Sequence, residues 1–278
     1  MQQSRLRKNM FFKVRQLVNR YKLRLLRRVD ILTYTSKVIS IPFSEMLLIA
    51  HAAGSIDGVK YTNSQEAFTH NYNQGFRVFE IDFILTSDKK LIARHDWIND
   101  FGQDSNLFPL SYKQAMEYKI FDKYNSIDFK RLIELMERYE DITVIIDVKI
   151  QNPEETAFIY NKISNELKDV KKSVIKRLQP QIFYQSDFQV IAKYNFAKPI
   201  YVIGREGFSL SENLDFCKKN GIRYVSLSVT QIRVSVVQTY LKNNIYVYAY
   251  TINNKNKIKY FGSIGVKGVF TDLVYPRK

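Results

Sequence analysis

Several features that would point to particular protein classes are scarce or missing in this sequence of 278 residues. It has a single cysteine, Cys217, so it cannot form an intramolecular disulfide, which fits a reducing compartment. No apolar run approaches the roughly 18 to 20 residues that cross a bilayer. No run of roughly 7 to 15 apolar residues follows the basic start, as a signal peptide requires. The sequence therefore predicts a cytoplasmic protein that does not span a membrane.

Acidic residues are also few, with 27 Asp and Glu against 43 Lys and Arg and a net charge of +16. Such an excess predicts an anionic partner. It is steepest in the first thirty residues, where Asp30 is the one acid and ten residues are basic: Arg5, Arg7, Lys8, Lys13, Arg15, Arg20, Lys22, Arg24, Arg27 and Arg28. Apolar residues recur there at helical spacing: Met10, Phe11, Val14, Leu17, Val18, Tyr21 and Leu25.

This predicted basic amphipathic helix has three interpretations. The one we favour places it in the interface of an anionic membrane, with the protein peripheral at the inner face and residues 1–30 making the contact. In the second, the apolar stripe packs on the rest of the protein and the charges are solvated. Nucleic-acid binding is the weakest interpretation, because no recognised binding module accompanies the charge.

From residue 46 onward, short β-rich runs alternate with helical patterns, which is typical of a parallel sheet. The predicted strands are 46–51, 77–83, 91–95, 142–148, 181–184, 199–203, 223–227, 245–251 and 267–271. The predicted helices are 63–74, 110–119, 128–140, 153–178, 187–195, 209–220, 232–243 and 255–262. A turn-like segment at 86–90 predicts that 77–85 and 91–95 form a hairpin. There is no Gly-x-Gly-x-x-Gly motif, which gives a nucleotide-binding fold little support. The prediction is an α/β protein, a TIM (β/α)8 barrel over 46–278 preceded by a basic helical arm over 1–45.

Two of the three histidines end apolar runs, at Leu48-Ile49-Ala50-His51 and Leu91-Ile92-Ala93-Arg94-His95. Between them lie Glu80 and Asp82, which point to the same face if they belong to a strand. Two carboxylates on one face repel unless a cation or donor lies between them. In a β/α barrel the chemistry lies at the C-terminal ends of the strands, so this pattern indicates a metal and acid–base site. The third histidine, His70, lies in a helical pattern and is predicted to be a surface residue.

An ordered set of motifs then resembles the glycerophosphodiester phosphodiesterase family. These motifs are Ala50-His51-Ala52-Ala53-Gly54, Thr62-Asn63-Ser64-Gln65-Glu66-Ala67-Phe68, Gly75-Phe76-Arg77-Val78-Phe79-Glu80-Ile81-Asp82, Leu91-Ile92-Ala93-Arg94-His95-Asp96, Ile146-Asp147-Val148-Lys149 and Gly265-Val266-Lys267-Gly268-Val269-Phe270-Thr271-Asp272. The resemblance covers about 47–276. It implies a TIM barrel in which His51 and His95 are the acid–base pair. It also implies that Glu80, Asp82 and Asp147 bind a divalent cation, calcium or magnesium, and that Lys149 contacts phosphate.

The chain departs from the family pattern in three places. Ala52 stands where the family usually has a phosphate-contacting arginine, and Asp147 stands where it usually has glutamate. Tyr61-Thr62-Asn63-Ser64 stands where it often reads Pro-Glu-Asn-Thr. Arg205, after a predicted strand, is the better replacement for the arginine, because Arg94 neighbours His95 and points to the opposite face.

The remaining predictions concern the walls of the site and the function. Trp97 and Tyr250 are candidate substrate-binding residues, each with packing as the alternative, and Asp272 is predicted to be structural. The predicted function is metal-dependent hydrolysis of a glycerophosphodiester or related phosphodiester, from a lipid headgroup, a deacylated lipid or a phosphate-containing glycan. The alternative, favoured by Ala52, is a catalytically degenerate barrel that serves as a membrane-associated binding or scaffold protein.

Overall fold

The computed structural model describes Asp30, Tyr34 and residues 37–97, 109–149 and 153–276. Within these residues the chain closes into a barrel of parallel strands with helices outside. The strands are β1 (Leu47–Ala50), β2 (Val78–Leu85), β3 (Leu91–Ala93), β4 (Thr143–Val148), β5 (Leu178–Ile182), β6 (Ile200–Val202), β7 (Tyr224–Ser228), β8 (Tyr246–Tyr250) and β9 (Gly268–Thr271). Their order is β1-β9-β8-β7-β6-β5-β4-β2, and β1 pairs with β2 to complete the barrel. This confirms the predicted TIM barrel.

The ninth strand, β3, is not part of the barrel wall. It pairs antiparallel with the far end of β2, with Leu85 opposite Leu91 and Phe83 opposite Ala93. The predicted hairpin is therefore confirmed, and eight parallel strands remain in the described part of the chain. The C-terminal ends of the eight parallel strands lie at one end of the barrel, which we call the mouth.

The helices are α1 (Gln65–Asn73), α2 (Tyr112–Glu117), α3 (Phe129–Arg138), α4 (Pro153–Glu166), α5 (Lys172–Ile175), α6 (Asp187–Ile191), α7 (Leu210–Lys219), α8 (Val234–Lys242) and α9 (Lys255–Ser263). Short polar residues begin several of them by accepting an N–H of the first turn, as Ser64, Asp128 and Asn254 do. One prediction was wrong: 153–178 forms two helices, and β5 begins at Leu178. The helix is interrupted at 167–171. Because most of these residues are charged, hydrophobic periodicity does not reveal the interruption.

Apolar side chains form two layers. A large cluster fills the space between the strands and the helices, as alternate strand residues such as Phe79, Ile81 and Val144 point outward. A smaller cluster fills the barrel interior with Ile49, Ile145, Ile200, Tyr248 and Phe270. Val78 packs against the interior cluster, so Glu80 and Asp82, two and four residues further along β2, share the inward face.

The segment before β1 packs along the last two helices. The backbone of Ile39 exchanges hydrogen bonds of 2.8 Å with the side chain of Gln238, and Ile41 N donates to Gly262 O at 2.8 Å. Of the predicted arm over 1–45, the structure describes Asp30, Tyr34 and residues 37–45, the rest lies outside the described residues, and the division at residue 45 stays a prediction. None of the helices in the described residues is long and apolar enough to cross a membrane.

Candidate metal and acid–base site

Three buried carboxylates converge just inside the mouth. Glu80 and Asp82 come from β2 and Asp147 from the neighbouring β4, where Asp82 and Asp147 are register partners. One oxygen from each residue lies within 4.8 Å of the others. The sequence resemblance named these three residues, and the closed barrel brings them together because adjacent parallel strands carry them on the same face.

Backbone and amide groups hold two of the carboxylates in place. Ala52 N donates to Glu80 Oε2 at 2.8 Å, from a backbone in the left-handed region with φ of 50°. Asn63 Nδ2 donates to Asp82 Oδ2 at 2.8 Å, while Asp82 N donates to Asn63 Oδ1 at 2.9 Å. The loop after β1 therefore fixes the orientation of both carboxylates from above.

Lys149 supplies positive charge to the cluster. Its Nζ lies 2.5 Å from Asp82 Oδ1 and 2.5 Å from Asp147 Oδ2. Burial disfavours the charged ammonium, but Asp147, Asp82 and Glu80 outweigh it and raise the pKa of Lys149. The lysine is therefore protonated beside the carboxylates, and its side chain stays 28% exposed.

The carboxylates respond differently to burial. Burial, reinforced by the adjacent Asp82, raises the pKa of Glu80 well above its usual range. Burial also raises the pKa of Asp147, although Lys149 opposes it. For Asp82, burial is outweighed by Lys149 and His51, which hold its pKa below the usual value. Glu80 and Asp147 therefore hold protons more readily than free carboxyl groups do, as expected of closely spaced buried acids.

The donor set fits a hard divalent cation. Oxygen ligands are those that calcium and magnesium prefer over zinc. Glu80 Oε1 and Asp147 Oδ1 are buried, and no described residue donates a hydrogen bond to them. Buried carboxylate oxygens without a donor are costly unless a cation satisfies them.

His51 lies between this cluster and the last strand. Its Nδ1 is 2.8 Å from Asp272 Oδ1, and its Nε2 is 3.9 Å from Glu80 Oε2. Burial works against the imidazolium, but the hydrogen bond to Asp272 and the charges of Glu80 and Asp82 outweigh it and raise the pKa of His51 to about 9. Asp272 therefore orients the ring so that Nε2 is on the side of the carboxylates.

His95 contacts the same Tyr61 ring as His51 does and is more exposed. Its Nδ1 is 3.0 Å from Asp96 Oδ2. The ring of Tyr61 lies between the two histidines, with its centroid 5.1 Å from that of His51 and 5.1 Å from that of His95. The structure thus places both predicted histidines at the mouth, with an aromatic ring separating them.

A cavity of about 520 Å³ opens beside His51, Glu80 and Asp147. Its lining mixes polar and apolar side chains, the polar ones including Gln181, Ser226, Ser228, Thr230 and Gln231 and the apolar ones Phe183, Val202, Ile203 and Phe270. Arg205 and Tyr250 also line it, as predicted, and the Arg205 guanidinium lies 4.4 Å from the centroid of the Phe183 ring. Arg205 brings a positive charge to this lining, and the hydroxyl and amide side chains can form hydrogen bonds with a ligand.

Two other predicted residues lie elsewhere. Trp97 is partly buried against a cluster of Ile84, Ile92, Leu110 and Ala115, and it does not line the cavity, so the packing interpretation describes it better. Its substrate-binding role stays a prediction. Arg94 is fully buried and donates to Ser126 Oγ at 2.7 Å, on the opposite side from His95 as the strand alternation predicted.

Sequence reasoning missed three residues of the site. Asp272 was expected to be structural, yet it holds His51. Asn63 was noted only as part of a divergent motif, and Tyr61 only as a departure from the family pattern. A polar residue directly after the last strand was the available indication for Asp272, since that position is also at the mouth.

Comparisons with known proteins agree with this geometry. A model described as the glycerophosphoryl diester phosphodiesterase family matches residues 54–275, beginning just after His51. YhdW of Bacillus subtilis, provisionally assigned as a glycerophosphodiester phosphodiesterase, is 24% identical over 245 residues, which cover 83% of this chain and 95% of YhdW.

Solved structures share the fold. A glycerophosphodiester phosphodiesterase from Thermotoga maritima is 20% identical with a TM-score of 0.63, covering 82% of this chain and 94% of that one. An Oleispira antarctica phosphodiesterase, solved in complex with the product sn-glycerol-3-phosphate, is 16% identical with a TM-score of 0.64, covering 81% of this chain and 92% of that one.

Proposed function

Because this chain belongs to the glycerophosphoryl diester phosphodiesterase family and is a phosphoric diester hydrolase, we propose that it hydrolyses a glycerophosphodiester or a related phosphodiester. In this reaction water adds to phosphorus, one P–O bond breaks, and the products are a phosphate monoester and an alcohol. The observation that carries the proposal is the convergence of Glu80, Asp82 and Asp147 beside His51 at the mouth.

Glu80, Asp82 and Asp147 would hold the divalent cation on which the family depends, either calcium or magnesium. When bound, it supplies positive charge that polarises the phosphoryl oxygens. Lys149, protonated and partly exposed, would contact the phosphate as it does the carboxylates now. Arg205, at the cavity wall, would take the place of the arginine that Ala52 replaces.

His51 and His95 would share the proton transfers. A phosphodiester needs a proton acceptor for the attacking oxygen and a proton donor for the leaving oxygen. The hydrogen bond to Asp272 favours the protonated form of His51, which would suit the role of acid. His95, more exposed and paired with Asp96, would then be the base. Tyr250, which lines the cavity, would contact the leaving group.

The finer elements of the proposal concern location. Residues 1–30 would bind an anionic membrane surface through their basic charge and apolar stripe. The second candidate function is a membrane-associated binding protein without turnover. The observation that favours it is Ala52, whose side chain is fully buried and offers nothing to a phosphate.

The test is an assay of glycerophosphoglycerol hydrolysis that measures the release of glycerol phosphate. We expect turnover that EDTA abolishes and that calcium or magnesium restores. Glu80→Ala should weaken metal binding, measured by calorimetry, and reduce turnover steeply. His51→Ala and His95→Ala should each lose roughly 10² to 10⁴-fold in rate.

The matched control is His70→Ala, because His70 lies on α1 with an edge contact to Tyr275 and outside the site. It should be near neutral. Unchanged turnover in EDTA would refute the metal assignment. Metal binding without turnover in the wild-type chain would favour the binding protein.

A further inference from the structure

Asp30, the first described residue, contacts the barrel beside the mouth. Asp30 Oδ2 accepts from Val234 N at 2.5 Å, and its Oδ1 accepts from Ser235 Oγ at 2.6 Å. Val234 is the first residue of α8, and a helix that follows a barrel strand begins at the mouth end. Thr230 and Gln231, in the loop just before α8, line the cavity. Asp30 therefore lies at the rim of the mouth, and the ten basic residues of 1–29 precede it in the sequence.

The direction of the chain after Asp30 is equally clear. Ile39 contacts Gln238 on α8 and Ile41 contacts Gly262 on α9, so residues 37–46 lead to the opposite end of the barrel, where β1 begins. A carboxylate at the first turn of a helix is stabilised by the free N–H groups there. The attachment is thus a specific contact between residues that are 204 positions apart.

Exposed apolar side chains surround the same opening. Phe208, 41% exposed, precedes the N-cap of α7, and Leu273, 42% exposed, follows β9. Phe121, 47% exposed, lies in the segment that Lys123 joins to Asp57 in the loop after β1. Single exposed apolar residues are ordinary. Three of them around one opening, where Asp30 follows a strongly basic sequence, indicate an interaction surface.

We propose that the mouth is the face that meets an anionic lipid bilayer, and that the phosphodiester it takes is carried by a lipid. The proposal rests on the membrane contact proposed for residues 1–30. The cationic residues that precede Asp30 in the sequence would hold the opening toward the headgroups. Phe121, Phe208 and Leu273 would enter the interface, and a headgroup phosphodiester would lie within reach of Lys149 and Arg205.

A fluorescent label reports the orientation directly. Cys217 is buried, so a single introduced cysteine can carry an environment-sensitive nitrobenzoxadiazole group. Phe208→Cys places the label at the rim. Tyr246→Cys places it at the first residue of β8, at the other end of the barrel, on a side chain of similar exposure, 40%. On vesicles of phosphatidylcholine and phosphatidylglycerol, the label at 208 should brighten and shift to the blue, and the label at 246 should not.

Hydrolysis reports the source of the substrate. The Phe121→Asn, Phe208→Ser double variant should lose roughly tenfold or more in rate on lysophosphatidylglycerol in vesicles, since two apolar side chains leave the interface. Its rate on soluble glycerophosphoglycerol should be unchanged. Tyr246→Ser is the control and should change neither rate.

The outcomes separate the two proposals. A response at 246 but not at 208, or equal losses on both substrates, overturns the orientation while membrane binding stands. Failure of the wild-type chain to sediment with vesicles at low salt overturns both the membrane contact and the orientation. Absence of turnover on both substrates refutes the hydrolase proposal. In that case the fluorescent labels still test the orientation.

Discussion

Among single residues, Asp272 has the most direct influence on the proposed acid. It contacts His51 Nδ1 at 2.8 Å, and Asn253 Nδ2 donates to its other oxygen at 2.5 Å. Asp272 N also donates to Asn253 Oδ1 at 2.7 Å. A carboxylate fixed in this way sets the tautomer of the imidazole and stabilises its protonated form.

The Asp272→Asn variant tests this pairing. Without the anion the imidazolium is less favoured, so the pKa of His51 should fall from about 9. The limb of the pH–rate profile that reports His51 should move to lower pH, and turnover should fall roughly 10²-fold. Asp57→Asn is the control, because Asp57 is paired with Lys123 on the surface. An unmoved pH profile would show that Asp272 does not set the protonation of His51.

Cys217 offers a second test at this scale. The side chain is fully buried on α7, and burial raises the pKa of its thiol to about 12. Only the thiolate reacts with aromatic disulfides. We therefore expect no reaction with dithionitrobenzoate in the folded protein at pH 8, and complete reaction in guanidinium chloride. Rapid labelling of the native protein would contradict this burial.

The sequence predicted most residues of the candidate site but not the residues that contact them and hold them in place. His51, Glu80, Asp82, Asp147 and Lys149 were found because their order along the chain is specific. Asp272 was misjudged because its function depends on a contact 221 residues away, which no local pattern reveals. The same reason hid the contact of Tyr61 with both histidines.

At the scale of elements, the segment after β3 is organised by one buried arginine. Arg94 Nη2 donates to Ser126 Oγ at 2.7 Å, to Tyr118 O at 3.0 Å and to Ala115 O at 3.3 Å. These acceptors come from α2 and the segment that follows it. Arg94 therefore joins the hairpin strand to the segment that carries Phe121.

Replacing Arg94 by Met should lower the free energy of unfolding. Its carbonyl and hydroxyl acceptors would lose a charged donor inside the protein, which costs roughly 1–3 kcal/mol. Denaturation in guanidinium chloride measures this loss. The control is Lys113→Met on α2, whose ion pair with Glu117 spans 4.0 Å between exposed groups and should contribute about 0–1 kcal/mol. Equal effects of both variants would mean that Arg94 does not organise the segment.

Elements were predictable where the local chemistry decides them. The turn at 86–90 indicated the hairpin because its residues favour a tight connection. The start of β5 was misplaced because Pro180, which has no N–H, interrupts the usual strand pattern. Its neighbours in the barrel keep it in the strand, with Ile146 as its register partner.

At the scale of the whole molecule, the charge distribution predicts salt-dependent adsorption. A chain lacking residues 2–28 keeps Asp30, so its contact with α8 should survive. It should lose binding to anionic vesicles, while the full chain should bind less as salt rises, since exposed charges are screened over about 8 Å at physiological ionic strength. Hydrolysis of a soluble phosphodiester should persist, because every proposed catalytic residue lies at or beyond His51.

Co-sedimentation at two salt concentrations and a thermal melt of both chains check this expectation. If the arm instead packs on the barrel, the full chain will stay in the supernatant and the truncated chain will melt earlier. The charge of the arm was readable from the sequence. Its place of attachment was not, because the Asp30 contact with α8 depends on the folded barrel.

The closure of the barrel has a consequence for how the protein opens. β1 and β2 are joined through two register pairs, Ile49 with Val78 and Ala50 with Phe79. Directly above them, Ala52 N donates to Glu80 Oε2, and His51 lies across the same junction. A ligand that binds His51 and Glu80 together would therefore connect β1 and β2, the two strands whose pairing closes the barrel. Ligand binding would then stabilise this pairing, so amide exchange at Ile49 and Ala50 should be slower in the bound protein.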